Sequence, residues 1–237
     1  LGYYTNPVSI LEEKTKPCGK AIEDRIHLLQ QAELFENINY EPKIFLTEKE
    51  QAFQFPEPFR DKKIIMWGIL GSTPQKSMPY EYVAQMIDHV TANYDVYLQL
   101  NYAPNQQEEA NKILALCKDT SSVIQGVYAK SIREFAVQMN QCAVLISNEG
   151  GTVHIAKALN KPTFTIFSPY INKDDWSSFE DGVFHKSVHL LDFVPHAITN
   201  LSYEQNKEIE KNPRPLYLQL TPEMMLPELD IFLKNNL

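Results

Sequence analysis

Short apolar segments alternate with amphipathic helical patterns along most of the chain, and this alternation limits the fold more than any other feature. Segments with the composition of strands occur at residues 43–46, 63–67, 95–100, 122–127, 142–146, 162–167 and 187–191. Apolar residues at helical spacing predict helices at residues 21–35, 79–90, 106–117, 131–139 and 151–159. Strands that alternate with helices every ~25–30 residues predict right-handed βαβ units around a parallel sheet. We therefore expect an α/β, Rossmann-like fold with helices on both faces of the sheet.

The two ends of the chain depart from this pattern. A polar, proline-bearing stretch covers residues 37–61 and has the composition of a linker. We therefore divide the chain into residues 1–60 and a sheet domain of residues 61–237. Residues 192–219 show no regular period, whereas Thr221 is placed to cap a last helix.

Composition and charge exclude several classes of protein. The 237 residues carry a net charge of −8, with 43% hydrophobic and 22% charged residues, so a core can form but a nucleic-acid partner is not expected. Cys18, Cys117 and Cys142 lie far apart and no CxxC occurs, which argues against a disulfide framework and a structural zinc site. This cysteine usage favours a reducing, cytoplasmic setting. No apolar run reaches the ~20 residues that span a bilayer.

The turn Ser147–His154, with the sequence SNEGGTVH, joins a predicted strand to a predicted helix. Two adjacent glycines let the backbone approach a ligand closely, and the unpaired amides of a helix start attract an anion. This turn therefore suits a phosphate or diphosphate, provided that Glu149 points away from it. Two alternatives stay open, because the glycines also suit a simple tight turn and His154 also suits a core position.

A second loop, Gly68–Pro79 with the sequence GILGSTPQKSMP, also joins a strand to a helix. Ser72 and Thr73 offer hydroxyl groups, and Lys76 offers a positive charge for a phosphate oxygen. A solvated loop lysine is the alternative. Because ligands bind at the carboxyl ends of parallel strands, we expect both loops to emerge at the same edge of the sheet.

The other sequence patterns give weaker evidence about function. No GxxxxGK[ST], GxGxxG, GxSxG or HExxH occurs. His185 and His189 lie near two aspartates in sequence, but no ligand spacing supports a metal site. The tract at residues 168–179 contains Trp176 and has the composition either of a loop over a ligand or of a plain surface loop.

With these loops placed, the stretch CAVLISNEGGTVHIAKALNKPTFTIFSP at residues 142–169 resembles glycosyltransferase family 9, the ADP-heptose:lipopolysaccharide heptosyltransferases. That family has a strand, then S/V-x-D-[ST]-G-x-x-H-[LI]-A-A-A-L-G-x-P-T, a second strand and G-P. The residues that fit are Gly151, His154, Ala156, Ala158, Leu159, Pro162, Thr163, Phe167 and Pro169. The loop GSTPQKSMP at residues 71–79 is similar to the family's G-[ST]-x-x-x-K-x-W-P, with Lys76 and Pro79 matching.

The resemblance implies a GT-B fold with two Rossmann-like lobes, of which this chain is the C-terminal portion. Residues 1–60 are then a remnant of the N-terminal, acceptor-side lobe plus a linker, and residues 61–237 are the lobe that binds the donor nucleotide. The implied reaction transfers heptose or a related sugar from an ADP-sugar to a lipopolysaccharide-core or other glycan acceptor, with inversion. No metal or other cofactor is implied. The implied location is the cytoplasm, with peripheral association at the inner face of the cytoplasmic membrane as a further expectation.

The resemblance also places the donor diphosphate against Lys76 and the loop Asn148–Thr152, with Lys76 as the catalytic residue that stabilises the leaving phosphate. Asn105 falls where family members often carry a glutamate for the nucleotide ribose. The expected donor-binding residues are Ser72, Thr73, Lys76, Asn105, Asn148, Glu149, Gly150, Gly151, Thr152 and His154.

Departures from the family's pattern include Glu149 in place of Asp, Gly150 in place of Ser or Thr, Met78 in place of Trp, and Asn105 in place of Glu. The chain begins at Leu1 rather than Met, so we expect a fragment, and the family's catalytic Asp is expected to lie outside it. Three alternatives stay open: a non-catalytic nucleotide-binding module, another Rossmann-like nucleotide-binding protein such as an oxidoreductase or a flavodoxin-like protein, and an interaction domain with no small ligand.

Overall fold

A computed structural model describes residues 16–31, 38–73, 76–199 and 201–237. Five parallel strands form one sheet in the order β2-β1-β3-β4-β5. The strands are β1 (Lys63–Gly68), β2 (Val96–Asn101), β3 (Val144–Asn148), β4 (Thr163–Ile166) and β5 (His185–Val188). The predicted parallel sheet is therefore confirmed.

Helices cover both faces of this sheet. They are α1 (Lys20–Gln31), α2 (Glu48–Gln51), α3 (Tyr80–Asn93), α4 (Gln107–Leu116), α5 (Ile132–Gln141), α6 (Gly151–Ala158), α7 (Lys173–Trp176), α8 (Leu190–Phe193), α9 (Tyr203–Lys211), α10 (Arg214–Tyr217) and α11 (Pro222–Asn236). A short 3₁₀ helix, Pro104–Gln106, precedes α4. Among the described residues, no helix combines the length and the apolarity that crossing a bilayer would take.

Alternation along β1 divides the core between the two faces. Ile65 and Trp67 pack with residues of α3, α4 and α11, whereas Ile64 and Met66 pack with residues of α5 and α6. Successive side chains of a strand point to opposite faces, so a strand that is apolar at every position is buried on both. The run from residue 64 to residue 67 meets that requirement.

Two predicted strands are wrong. The segment predicted at residues 122–127 makes a single bridge, Val123 to Leu98, on the outer side of β2. Only Val123 and Ile124 are buried there, so little apolar surface is available to hold a longer strand. The segment at residues 43–46 forms no regular element, and the Ile44 amide donates to the Ala158 carbonyl at the end of α6 and not to a strand (3.1 Å).

The segment at residues 192–219, which shows no period in sequence, contains α9, α10 and the end of α8. The strand predicted at 187–191 ends at Val188 instead, because His189 caps α8 by accepting a bond from the Leu191 amide (3.1 Å). Ser202 caps α9 in the same way. Helices α8 and α9 thus begin at side-chain caps and not at an apolar stripe, which explains why their periodicity is weak.

The described part of residues 1–60 packs onto the sheet domain. Helix α1 contacts α7, and Gly19, at φ +81°, lies so close that an added Cβ would meet the Ser177 carbonyl oxygen at 2.9 Å. Helix α2 contacts α5 through an ion pair of Arg133 and Glu50 at 2.6 Å. Residues 32–35 of the predicted helix at 21–35 lie outside the described residues. Assignment of residues 1–60 to a second lobe stays a proposal.

Helix α11 closes the fold across α3 and β5. It begins after Thr221 as expected, although the Thr221 side chain makes no capping bond to the helix backbone. The Asp230 carboxylate accepts from the Tyr94 hydroxyl at 2.8 Å and lies 2.9 Å from the His89 ring nitrogen Nε2. Phe232 is fully buried against Phe164, with ring centroids 5.6 Å apart.

We predict that Phe232→Ala lowers the free energy of unfolding by about 3–5 kcal/mol, because it leaves a cavity between α11 and the sheet. The matched control is Phe45→Ala, since Phe45 is 82% exposed, and its effect should stay within about 0.5 kcal/mol. Urea unfolding measures both. Equal effects of the two substitutions would show that α11 is not anchored in the core.

Candidate functional site

The carboxyl ends of β1 and β3 form the topological switch point of the sheet. Strand β1 pairs with β2 on one side and with β3 on the other. The helices that follow β1 and β3, which are α3 and α6, pack on opposite faces. Their divergence opens a crevice at this edge, which is where open α/β sheets bind ligands.

The described residues of the loop after β1 are held by hydrogen bonds of the Ser77 and Gln106 side chains. The Gly71 amide donates to the Ser77 hydroxyl (2.9 Å), which donates to the Thr73 carbonyl (3.0 Å). A Cβ at Gly71 would lie 2.1 Å from the Lys76 carbonyl oxygen, so only glycine fits this turn. The Gln106 side chain donates to the Gly71 carbonyl (2.8 Å) and ties the loop to the end of β2.

Lys76 is fixed at its backbone, and its ammonium group has no ion-pair partner in the part of the chain that the structure describes. The buried Tyr217 hydroxyl donates to the Lys76 carbonyl (3.1 Å). Among the described residues, no carboxylate lies within ion-pair distance of the Lys76 ammonium. Its charge is therefore available to a ligand in the crevice.

The loop after β3 presents bare backbone to the same crevice. Gly150 has φ +149°, a conformation that favours glycine, and Gly151 begins α6. A Cβ on either glycine would meet no atom within 4 Å, so open space lies in front of both. The start of α6 therefore points unpaired amides and the positive end of its dipole at the space beside Lys76.

A pocket of about 290 Å³ joins the two loops. We call it the first pocket, and its lining residues are Gly71, Ser72, Lys76, Glu149, Gly150, Gly151, Val153, His154, Lys157, Thr165, Phe167, Ile171, Trp176 and Glu180. It brings together six of the ten residues expected from sequence. The expectation that both loops share one edge of the sheet agrees with this geometry.

The other four expected residues lie elsewhere. Thr152 lines an adjoining second pocket of about 400 Å³, which the first pocket meets at Gly71, Ser72 and Gly151. Asn148 is buried at the end of β3, and its side-chain amide has no partner among the described residues. Thr73 and Asn105 are exposed and line neither pocket.

The second pocket lies over the end of β2. Tyr102 and Gln106 form one side of it, and Ile132, Phe135 and Ile155 supply apolar surface on the other. The Tyr102 ring stacks on that of Tyr128 with centroids 6.2 Å apart. Lys130 is the charged residue in the lining of the second pocket, whereas the lining of the first pocket includes four charged residues, Lys76, Glu149, Lys157 and Glu180.

Glu149 faces the protein as well as the pocket. Its carboxylate accepts a hydrogen bond from the Ser168 amide (2.8 Å). Burial raises the pKa of Glu149 from 4.5 to about 7, although the Ser168 amide and the nearby Lys76 charge oppose the shift. Near neutral pH the carboxyl group is therefore only partly ionised, which reduces its repulsion of an anion.

His154, Lys157 and Glu180 form the far wall of the first pocket. Burial lowers the pKa of His154, and the charge of Lys157 lowers it further, so the imidazole is neutral at pH 7. Its Nδ1 atom lies 3.3 Å from the Ser178 hydroxyl. The sequence prediction did not include Lys157 or Glu180, although Lys157 departs visibly from the alanine run of the family pattern.

The two histidines considered for a metal have other partners. His185 Nδ1 lies 3.1 Å from the Thr163 hydroxyl, and His189 caps α8. Within residues 16–31, 38–73, 76–199 and 201–237, no group of three or more metal-ligating side chains converges.

The sequence of this chain matches the model of a known protein family. The model for glycosyltransferase family 9 (heptosyltransferase) matches residues 11–177, more than half of the chain. The chain belongs to glycosyltransferase family 9. The match covers both glycine loops and Lys76. No curated protein sequence matches the chain.

Solved structures confirm the fold of this family 9 chain as the Rossmann-like part of a GT-B glycosyltransferase. A glycosyl transferase family 9 protein from Veillonella parvula aligns over 97% of this chain and 62% of its own, at 15% identity and a TM-score of 0.69. The E. coli ADP-heptose lps heptosyltransferase II aligns over 81% of this chain and 54% of its own, at 17% identity and a TM-score of 0.56. The E. coli heptosyltransferase WaaC with ADP-2-deoxy-2-fluoro heptose aligns over 96% of this chain and 59% of its own, at 14% identity and a TM-score of 0.54. The chain thus spans between 54% and 62% of the length of these structures.

The buried carboxyl group of Glu149 generates a prediction about pH. Below pH 4.5 it is protonated in the folded and the unfolded chain, but between pH 4.5 and about 7 the unfolded chain loses the proton first. Its contribution to the free energy of unfolding therefore falls as the pH rises through that window. We predict that Glu149→Gln, which keeps an acceptor for the Ser168 amide, is more stable than the original protein by about 1–3 kcal/mol at about pH 8 and equal to it at about pH 4. Urea unfolding at both pH values measures this, and a pH-independent difference would contradict the assignment.

Proposed function

We propose that this chain is the donor-binding lobe of a glycosyltransferase that transfers a sugar from a nucleoside-diphosphate sugar to a glycan acceptor. One observation carries the proposal. In a family 9 chain, Lys76 and the Gly150–Gly151 backbone line one pocket at the switch point of the sheet. A lysine ammonium group and the backbone amides at a helix start together suit a diphosphate.

The same groups give a reason for catalysis. When the bond from the sugar to the diphosphate breaks, negative charge grows on the departing phosphate. Lys76 and the amides at the start of α6 are in place before the reaction and stabilise that charge as it develops. The proposal requires no metal ion, because these groups supply the positive potential.

The two pockets divide the donor between them. The second pocket lies over the end of β2, where dinucleotide-binding sheets hold the ribose, and its aromatic and apolar lining suits a nucleobase. The first pocket, with His154, Lys157 and Glu180 on its far wall, then receives the sugar. Gly151 lies at the border of both, where the diphosphate joins the nucleoside to the sugar.

The relatives suggest the identity of the donor. One is an ADP-heptose lps heptosyltransferase, and another was solved with ADP-2-deoxy-2-fluoro heptose. We therefore propose an ADP-linked heptose or a related sugar as the donor, with a saccharide of the lipopolysaccharide core as the acceptor and inversion at the transferred carbon.

Calorimetric titration with ADP, UDP and GDP tests the donor site. We predict selective ADP binding that Lys76→Ala weakens by about 1.5–3 kcal/mol, as expected for the loss of a hydrogen bond to a charged group. Lys112→Ala is the control, since Lys112 lies on α4 and pairs with Glu108 away from both pockets. Binding that Lys76→Ala leaves unchanged would remove Lys76 from the site, and binding of no nucleotide would contradict the proposal for this chain.

Gly151 offers a steric test that spares the fold. Its missing Cβ faces open space at the border of the two pockets, so Gly151→Leu directs a side chain into the space proposed for the ligand. We predict that ADP affinity falls at least about tenfold, whereas the free energy of unfolding changes by less than about 1 kcal/mol. Gly151→Ala should have a smaller effect on affinity. Full ADP affinity in the leucine variant would place the diphosphate elsewhere.

A further inference from the structure

Lys157 and Glu180 form a buried ion pair in the wall of the first pocket. Lys157 lies one helical turn beyond His154 on α6, so both side chains project from the same face of that helix towards the pocket. Glu180 reaches the pair from the segment after α7 and lines the same pocket. The pair is therefore placed beyond the glycines, on the side that we assign to the donor's sugar.

The pair is well enclosed. The Lys157 ammonium donates to Glu180 Oε1 at 2.7 Å and to the Ser178 carbonyl. The side chains are only 2% and 16% exposed. Burial lowers the pKa of Lys157, while the adjacent Glu180 carboxylate opposes that shift.

Hydrogen-bonding capacity remains unused in this pair. Glu180 Oε2 is buried and has no partner among the described residues. A lysine ammonium group has three donors, and two of those of Lys157 are accounted for. A buried carboxylate oxygen without a hydrogen-bond donor destabilises the folded chain. A ligand group that donates a hydrogen bond to this oxygen removes that cost, and its binding is strengthened accordingly.

Stability alone does not account for the pair. Replacing a buried ion pair by apolar residues is often neutral or stabilising, so its presence is weak evidence for a structural role. A buried pair in a pocket wall, with one carboxylate oxygen unsatisfied, matches the way that binding sites fix the orientation of a polar ligand.

We propose that Lys157 and Glu180 determine the specificity for the donor's sugar, with Glu180 accepting a hydrogen bond from a sugar hydroxyl and Lys157 holding the carboxylate in place. This inference rests on the proposed function of the first pocket. Because the two charges of the pair cancel, the site suits a neutral, polyhydroxylated sugar. A sugar that lacks the facing hydroxyl leaves the carboxylate unsatisfied and is rejected.

Comparing ADP with ADP-heptose isolates the sugar contribution. For Glu180→Gln we expect the dissociation constant of ADP to change by less than about twofold and that of ADP-heptose to rise about 10- to 100-fold. Calorimetry on the full chain measures both. Equal weakening for the two ligands, as a merely structural role would produce, overturns the inference, and so does unchanged binding of ADP-heptose.

A second variant covers the case in which Glu180→Gln fails to fold. The double variant Lys157→Met/Glu180→Leu removes both charges and leaves no unpaired buried ion. It should retain ADP binding and show the same loss for ADP-heptose. The matched control is Lys186→Met/Glu228→Leu, which removes an ion pair outside the first pocket and should leave both affinities unchanged.

The outcomes also separate this inference from the proposed function. If the original protein binds neither ADP nor ADP-heptose, the donor site itself is wrong, and the inference falls with it. If ADP binds normally and the variants bind ADP-heptose as well as the original protein does, the donor site stands and only the specificity assignment is overturned.

Discussion

The close approach of β1 and β3 at their carboxyl ends is the constraint on which the rest of the structure depends. Gly68 pairs with Ser147 in register, and a Cβ on Gly68 would lie 2.4 Å from the Ser147 hydroxyl oxygen. Because Gly68 has no side chain at this contact, the two loops leave the sheet side by side, and α3 and α6 diverge to opposite faces behind them. Lys76 and the start of α6 therefore face one shared space, and neither loop makes that space alone.

Much of this arrangement follows from the sequence, because it depends on local patterns. The strands β1, β2, β3 and β4 are short apolar runs, and the helices between them have one apolar face each. The outer edge of the sheet beside β2 is harder to predict from the sequence. At residues 122–127 the apolar run is long enough for a strand, but only Val123 and Ile124 find buried positions, so tertiary packing overrides propensity there. Helices that begin at polar caps, such as α8 and α9, carry too little periodicity to be recognised.

The candidate site likewise combines residues that the sequence predicts with residues that it does not. Lys76 and the adjacent glycines are recognisable because each belongs to a strand-to-helix turn of distinctive composition. The hydrogen-bond and ion-pair partners of the pocket residues are not recognisable in this way, because they come from distant parts of the chain. Ser168 lies 19 residues from Glu149, and Glu180 lies 23 residues from Lys157. Sequence spacing does not report such contacts. Asn105 is exposed, while its neighbour Gln106 holds the Gly71 loop, so a role of Asn105 in donor binding stays a prediction.

A crystal structure of this chain with bound ADP would test the central claim most directly, namely that the two loops form one diphosphate site. The account predicts phosphate oxygens within about 3 Å of the Gly150 or Gly151 amide and of the Lys76 ammonium, with the adenosine over the end of β2. ADP bound away from the junction of β1 and β3, or with its phosphates turned from Lys76 and the start of α6, would contradict it.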